Sequence, residues 1–257
     1  MAIVTLTTDL GTKDHYVAML KGKILSYASN VTIVDISHEI KPFNIQQAAF
    51  VLRTTYHFFP EHTIHLTSVF AENKNNTRCI LIKHKKYYFA GVDNGLFSLI
   101  FDEYPEIIIE IPFTSQDVSV FVTRDVLCET VAAIANGKNV KDLGKQIQSL
   151  ETKTFLRPPD SSDYINGNIM YIDKFGNAIV SISKEKFERK NNGRNFVIHC
   201  KRSDEFTSIA KTYSEVPLGE KLCLFNSSGF LEIAINQGNA AQLLGLQLDD
   251  TIQIEFQ

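Results

Sequence analysis

The chain is poor in cysteine, with Cys79, Cys128, Cys200 and Cys223 its only four among 257 residues. They lie far apart, mostly in apolar surroundings, with no CxxC or Cys/His ligand spacing. A disulfide scaffold or zinc module is therefore excluded, and reduced core residues are expected. Charge of one sign is equally scarce: 26 Lys and Arg stand against 29 Asp and Glu, for a formal net charge of −3. With no long basic stripe, nucleic acid is not an expected partner. No apolar run approaches the roughly 18 residues needed to span a bilayer. No charged segment followed by an apolar one opens the sequence, so a secretory signal is not expected either. No membrane partner and a cytoplasmic location follow as expectations. His38, His57, His62 and His65 fall into no metal-ligand spacing, and no metal is expected. Repeats and low-complexity segments are absent as well.

The most informative stretch is the opening one, Ile3-Val4-Thr5-Leu6-Thr7-Thr8-Asp9-Leu10-Gly11-Thr12-Lys13-Asp14. Ile3, Val4 and Leu6 have the character of a core strand, while Tyr16, Val17, Met19, Leu20 and Ile24 recur at helical spacing. Asp9 and Asp14 thus occupy a strand-to-helix turn. In an open α/β sheet, ligands bind beyond the carboxyl ends of the strands, which makes this turn a candidate site. Asp14 has a second reading, as the N-cap of the following helix; Asp9 lies too far upstream to cap.

Strand and helix patterns alternate from Met1 to about Gly144, the signature of a layered α/β domain. Strands are expected at 3–7, 32–35, 63–69, 78–82, 88–91 and 106–110, and helices at 16–28, 44–55, 96–101 and 126–136. Lys83 to Lys86 reads as a hairpin tip, and Lys184 to Arg194 as a solvated helix and loop. Periodicity stops at Arg157-Pro158-Pro159-Asp160, which marks the domain boundary. Short strands follow at 166–173, 178–181, 196–199, 221–225, 230–235 and 251–256, with a helix at 238–244. That spacing suggests a small β-barrel or sandwich. The expected division is an N-terminal α/β domain over residues 1–156 and a smaller C-terminal β-barrel domain over 163–257. Clefts between domains are common ligand sites.

Five short segments carry more information together than singly: Thr8-Asp9-Leu10-Gly11 through Lys21-Gly22-Lys23-Ile24; Val34-Asp35-Ile36-Ser37-His38-Glu39-Ile40; Asp93-Asn94-Gly95-Leu96; Asp173-Lys174-Phe175-Gly176-Asn177; and Asn226-Ser227-Ser228-Gly229-Phe230-Leu231-Glu232-Ile233-Ala234. Their order and spacing over nearly the whole chain resemble the S-adenosylmethionine (SAM) hydroxide adenosyltransferase family, which includes the SAM-dependent fluorinase and chlorinase. The resemblance implies an N-terminal α/β domain, a C-terminal β-barrel, and a homotrimer with SAM held at subunit interfaces. It also implies a small nucleophile, water or halide, that attacks ribose C5′ and expels methionine, with SAM as substrate and no separate cofactor.

On this resemblance Asp9 takes the ribose hydroxyls, a strong charge-assisted contact. Asp14 and Asp173 take the methionine ammonium, Asn177 pairs with an adenine edge through its amide, and Phe43 and Phe175 offer flat walls. Phenylalanines also serve as core, which is the alternative for both. Ser227 and Ser228 fall where the family meets the methionine carboxylate; halogenating members often carry arginine at the position of Ser228, so that contact is altered here. The Asp93-Asn94-Gly95 turn reads equally as a structural turn that requires glycine.

The chain departs from the family where chemistry is expected. Ungapped alignment places the hydrolases' water-activating Asp at Phe70, their Arg at Thr77 with Arg78 one place beyond, and their His at Val122. General acid–base assistance is typically worth about 10²- to 10⁴-fold, so ordinary hydrolysis is expected to be slow. Halogenating members also lack that triad and place an aromatic at the position of Phe70. On that pattern Asn73 and Thr123 become the candidate catalytic groups, as amide and hydroxyl donors to an anion, with Phe70 and Phe121 lining the pocket. Glu72 is a substitute base or a solvated loop residue. Two functions stay open: an enzyme that cleaves SAM at C5′, and a catalytically inactive binder of SAM or adenosine.

Overall fold

Residues Ala2–Thr8 form strand β1, five of them buried, and lead through a short turn into helix α1 (Tyr16–Tyr27). Strand β2 (Val31–Ser37), helix α2 (Ile45–Thr55), strands β3 (Ile64–Ser68), β4 (Cys79–His84), β5 (Tyr87–Val92) and β6 (Ile107–Ile111), helix α3 (Cys128–Ala135) and strand β7 (Lys145–Ile147) follow. These strands form one sheet in the order β2-β1-β3-β5-β4-β6-β7. β1 runs parallel to β2 and β3, and β3 to β5, whereas β4, β6 and β7 join antiparallel. The computed structural model describes residues 1–71, 77–114, 120–153, 159–201 and 205–257. It divides into two compact units, Met1–Thr154 and Phe155–Gln257.

Strand alternation sends successive side chains to opposite faces of the sheet. Leu81 and Ile109 pack on one face with Leu20 and Ile24 of α1 and Val131 of α3. Ile80, Ile82 and Ile108 pack on the other with Ala48 and Leu52 of α2. Burying each such aliphatic side chain is worth about 1.5–3 kcal/mol. The result is a layered α/β unit with helices on both faces. His65 is wholly buried between these layers; its Nδ1 lies 2.7 Å from Thr5 Oγ1 and its ring stacks on Phe89. Burial pushes its pKa down to about 3, so this imidazole is a neutral core group.

The second unit contains β8 (Tyr164–Ile172), β9 (Ala178–Ser183), α4 (Lys184–Asn191), β10 (Phe196–His199), β11 (Glu205–Phe206), β12 (Lys221–Phe225), β13 (Phe230–Ile235), α5 (Ala240–Leu244) and β14 (Thr251–Phe256). Its strand order is β11-β10-β14-β8-β9-β13-β12. β8 joins two halves of this curled sheet: Tyr164 to Asn168 pair with β14, and Ile169 to Ile172 pair with β9, with a register shift between Ile169 and Tyr171. Such a shift bends a strand and tightens its twist. The sheet closes nearly into a barrel around Ile165, Val180, Ile198, Leu231, Ile233 and Ile254.

Local structure differs from the sequence reading in several places. The helix expected at 96–101 contracts to a 3₁₀ turn, Phe97–Leu99. The one expected at 126–136 begins earlier, as a π-helical turn at Thr123–Leu127 that runs into α3. β7 and β11 are additional strands, whereas α4 falls within the basic run Lys184 to Arg194, where a helix and loop were expected. The Lys83 to Lys86 tip stands, with Lys85 at φ 52°. Among the described residues, no helix is long and apolar enough to cross a membrane, and no group of three His, Cys, Asp or Glu side chains could hold a metal ion.

Candidate functional site

The candidate site of the first unit lies at the carboxyl ends of β1 and β3. Thr8 is buried and its Oγ1 lies 2.8 Å from His38 Nδ1, while Gly11, at φ 66°, donates its N–H to the His38 carbonyl at 2.8 Å. These bonds bring the loop after β2 alongside the loop after β1. Between them, Asp9 Oδ2 accepts two backbone N–H groups, from Phe43 at 2.9 Å and Phe70 at 3.2 Å. Both phenylalanines have left-handed backbones, with φ 67° and 51°. For non-glycine residues this costs of order 1–3 kcal/mol and concentrates at functional sites. Hydrogen bonds to a charged acceptor, about 1.5–3 kcal/mol, offset that strain. The two rings meet edge to face at 5.7 Å and remain solvent-accessible, Phe43 by 65% and Phe70 by 36%. They are therefore displayed side chains rather than core. Asn94 braces the arrangement by donating Nδ2 to the carbonyls of Val69 and Phe70. Its Oδ1 accepts from the Leu96 N–H, which gives the Asp93-Asn94-Gly95 turn a structural role.

Asp14 does not cap α1. The capping position is His15, without a side-chain cap bond, and Asp14 is exposed one residue upstream. Thr123 is fully buried, and its hydroxyl is 2.8 Å from Ser68 Oγ, two residues before Phe70. The π-helical turn that begins at Thr123 is therefore tied to the end of β3. Such turns are frequent at functional sites. Phe121 is half-buried with its ring edge to face with Tyr16. Arg78, next to the family's arginine position, is committed to an ion pair with Asp93, whose side chain is 1% exposed. Burial pushes the Asp93 carboxyl up, and the Glu151 N–H and the Arg78 guanidinium counter it. Asn73 and Glu72 lie outside the described residues.

In the second unit the Asp173-to-Asn177 turn joins β8 to β9. Asp173 Oδ1 accepts from the N–H groups of Phe175 and Asn177, both at 2.9 Å, and Oδ2 accepts from Asn177 Nδ2 at 3.1 Å. The acid thus shapes its own loop, and one of the two N–H donors of the Asn177 side-chain amide is already in use. Phe175 projects outward, 64% exposed, with Lys174 Nζ 5.0 Å from its ring centroid. Asp173, Phe175 and Asn177 line a cavity of about 900 Å³ whose other walls include Tyr213, Asn236 and Gln237, within the range of small-molecule sites. Ser227 and Ser228 do not line it. They are exposed at the β12–β13 tip, at the opposite end of β13 from Asn236.

Gly176 shows how tightly this turn is built. Its φ is 85°, a Cβ there would fall 2.2 Å from Asn239 Cγ, and its carbonyl accepts the Ala241 N–H at 2.8 Å. Gly176→Ala is expected to destabilise the protein by about 2–4 kcal/mol, from backbone strain and overpacking together. A denaturant titration within 0.5 kcal/mol of wild type would show that this turn is not rigid.

Sequence reasoning missed Ser68 and Tyr213. Neither carries a local signal: one is the last residue of a buried strand, the other part of a polar loop.

Residues 4–144 match the model of the SAM hydroxide adenosyltransferase N-terminal domain, and residues 167–253 that of the C-terminal domain. A Methanocaldococcus jannaschii protein named (R)-S-adenosyl-L-methionine hydrolase is 35% identical over 99% of this chain and 96% of its own length. A fluorinase from Actinopolyspora mzabensis is 24% identical over 98% and 96%. Among solved structures, an uncharacterized conserved protein from Thermotoga maritima superposes with a TM-score of 0.86 at 30% identity, covering 98% of this chain and 99% of that one.

Proposed function

The chain belongs to the SAM hydroxide adenosyltransferase family, and on that premise we propose that it binds SAM and cleaves it at ribose C5′. A small nucleophile, water or halide, forms the new bond to C5′ as the C5′–S bond breaks, and methionine leaves with the electron pair. The observation that carries this reading is Asp9. Its Oδ2 is spent on holding the Phe43 and Phe70 loops, while Oδ1 accepts nothing among the described residues and is left for a vicinal diol. The same carboxylate thus builds the pocket wall and offers an acceptor to the ribose.

Sulfonium is a good leaving group, so no acid is required at sulfur. The protein's task is to align and desolvate the nucleophile. We assign the wall of that compartment to Phe70 and Phe121, and contact with the nucleophile to Thr123 and Asn73. Phe43 and Phe175 flank the nucleoside, Asn177 offers its free amide oxygen to the base, and Asp14 and Asp173 attract the methionine ammonium. Ser227 and Ser228 are assigned to the methionine carboxylate. Because they stand away from the Asp173 cavity within one chain, this assignment draws on the family resemblance. A homotrimer with SAM at subunit interfaces is part of the same proposal, as is a small-molecule partnership without nucleic acid, metal or cofactor, in the cytoplasm.

The second reading, an inactive binder of SAM or adenosine, is favoured by one observation: the Thr123 hydroxyl is buried and already bonded to Ser68. Purified protein incubated with SAM, with and without fluoride, chloride or bromide, separates the two. Chromatography is expected to show methionine with adenosine or a 5′-halo-5′-deoxyadenosine. Tight SAM binding without any product would sink the enzyme in favour of the binder. Light scattering on the same preparation tests the trimer.

A further inference from the structure

A second cavity, of about 740 Å³, opens in the first unit at the amino ends of β1 and β3, the opposite end of the sheet from Asp9. Its floor is one lateral row of the sheet. Ile64 stands beside Tyr88, Tyr88 beside Lys83, and Lys83 beside Ile107, on neighbouring strands in register. Alternation puts Lys83 on the same face as Leu81, the face that α1 and α3 cover further along. α3 ends at Ala135, and Ile134 and the loop from Gly137 to Lys141 wall the space over this last row.

Charge around this space is one-sided. Lys83 lines it from the floor, Lys138 and Lys141 from the loop, and His62 from the turn before β3. None of the three lysines has a carboxylate partner among the described residues. The acid on the wall, Glu61, is already engaged, 2.5 Å from Lys86 Nζ. Nor are the lysines needed to cap α3. Lys138 donates its backbone N–H to the Ala133 carbonyl and Gly137 donates to Ile134, which closes the helix end with main-chain groups alone. His62 holds a left-handed backbone, φ 69°, with its N–H bonded to the Lys86 carbonyl at 2.7 Å. Strain of this kind gathers at ligand sites.

Ammonium groups gathered without a counter-charge repel one another, and a bound anion removes that cost. Lys83 is the telling member, because its row otherwise holds isoleucine and tyrosine. We infer that this cavity is a second ligand site, for an organic phosphate of the nucleoside phosphate class. The lysines take the phosphate oxygens, and Ile64, Tyr88 and Ile107 offer an apolar floor to a flat ring. The volume suits a small molecule. The site shares no residue with the Asp9 pocket and stands independently of SAM cleavage.

Calorimetric titration of the full chain with ADP, in saturating adenosine to fill the Asp9 pocket, tests it. ADP is expected to bind, and more tightly than pyrophosphate. Lys83→Met keeps the apolar stem and removes the charge, and is expected to weaken ADP about tenfold, as is the Lys138→Ala/Lys141→Ala pair. Tyr88→Trp gives a local reporter, since the chain contains no tryptophan, and its emission is expected to change with ADP but not with adenosine. No ADP binding at about 1 mM, or binding that stays within twofold in both lysine variants, overturns the site. Pyrophosphate that binds as tightly as ADP overturns the nucleoside phosphate assignment. ADP binding that falls with Asp9→Asn and holds with Lys83→Met puts the nucleotide in the Asp9 pocket and overturns the inference, leaving the proposed function standing. If Lys83→Met does not fold, Lys83→Gln reads the same loss.

Discussion

Asp9→Ala is expected to weaken SAM binding by about 10²- to 10⁴-fold. Two charge-assisted hydrogen bonds from a diol, at about 1.5–3 kcal/mol each, account for two to four decades at about 1.4 kcal/mol per decade. The same substitution removes the acceptor that holds Phe43 and Phe70 in left-handed backbone conformations, so their loops should relax and the melting temperature should fall. Asp9→Asn separates the two effects. Its amide oxygen can still accept the two N–H groups, but the charge is gone, so the loops should hold while affinity falls. Calorimetry of SAM binding beside a thermal melt reads both. An Asp9→Ala protein that binds SAM within threefold of wild type would remove Asp9 from the ribose site.

Placing Asp at Phe70, Arg at Thr77 and His at Val122 is expected to raise the rate of adenosine release by about 10²- to 10⁴-fold, the usual worth of general acid–base assistance. The backbone favours the first change. Asp tolerates φ near 51° better than Phe does, and Asn94 braces this residue through main-chain carbonyls, which substitution leaves in place. The second change must be made at Thr77, because the neighbouring Arg78 is engaged with Asp93. The third is the costly one: Val122 is fully buried in the core beside α1 and α3, where a larger, polar imidazole has to find space and a partner. Phe70→Asp and the Phe70→Asp/Thr77→Arg pair therefore come first. A triple variant that folds and binds SAM but releases adenosine no faster than wild type would show that these positions do not form the water-activating group.

Strands such as Phe196–His199 and Phe230–Ile235 were legible residue for residue, because short runs rich in aromatic and aliphatic side chains lie there between turn-forming stretches. Leu96–Phe101 was not. Its apolar residues suit a helix, but the Asn94 side chain bonds the Leu96 N–H and the Phe97 and Phe101 rings stack on each other. The π-helical turn at Thr123 was invisible too, because its side-chain pattern is that of an ordinary helix. Asp9 and Asp173 were singled out from sequence as candidates, but what they do to their own loops was not legible there. Asp9 reaches amides 34 and 61 residues away, a convergence that no local pattern encodes. Tyr213 lies 19 residues from its partner Glu232 and was missed for the same reason.

The divided pairing of β8 bears on how the protein is made. Its first half has no partner until Thr251–Phe256 has been synthesised, since Tyr164 pairs with Glu255 and Ile165 with Ile254. The preceding α/β unit can fold as the growing chain emerges, in keeping with the usual N-terminal-first order. In the second unit, by contrast, the half of β8 that carries Asp173 can pair with β9 as soon as that strand exists, whereas the half from Tyr164 to Asn168 waits for β14. A chain interrupted before β14 would therefore keep the β8–β9 hairpin and its Asp173 turn but leave its sheet open along the first half of β8.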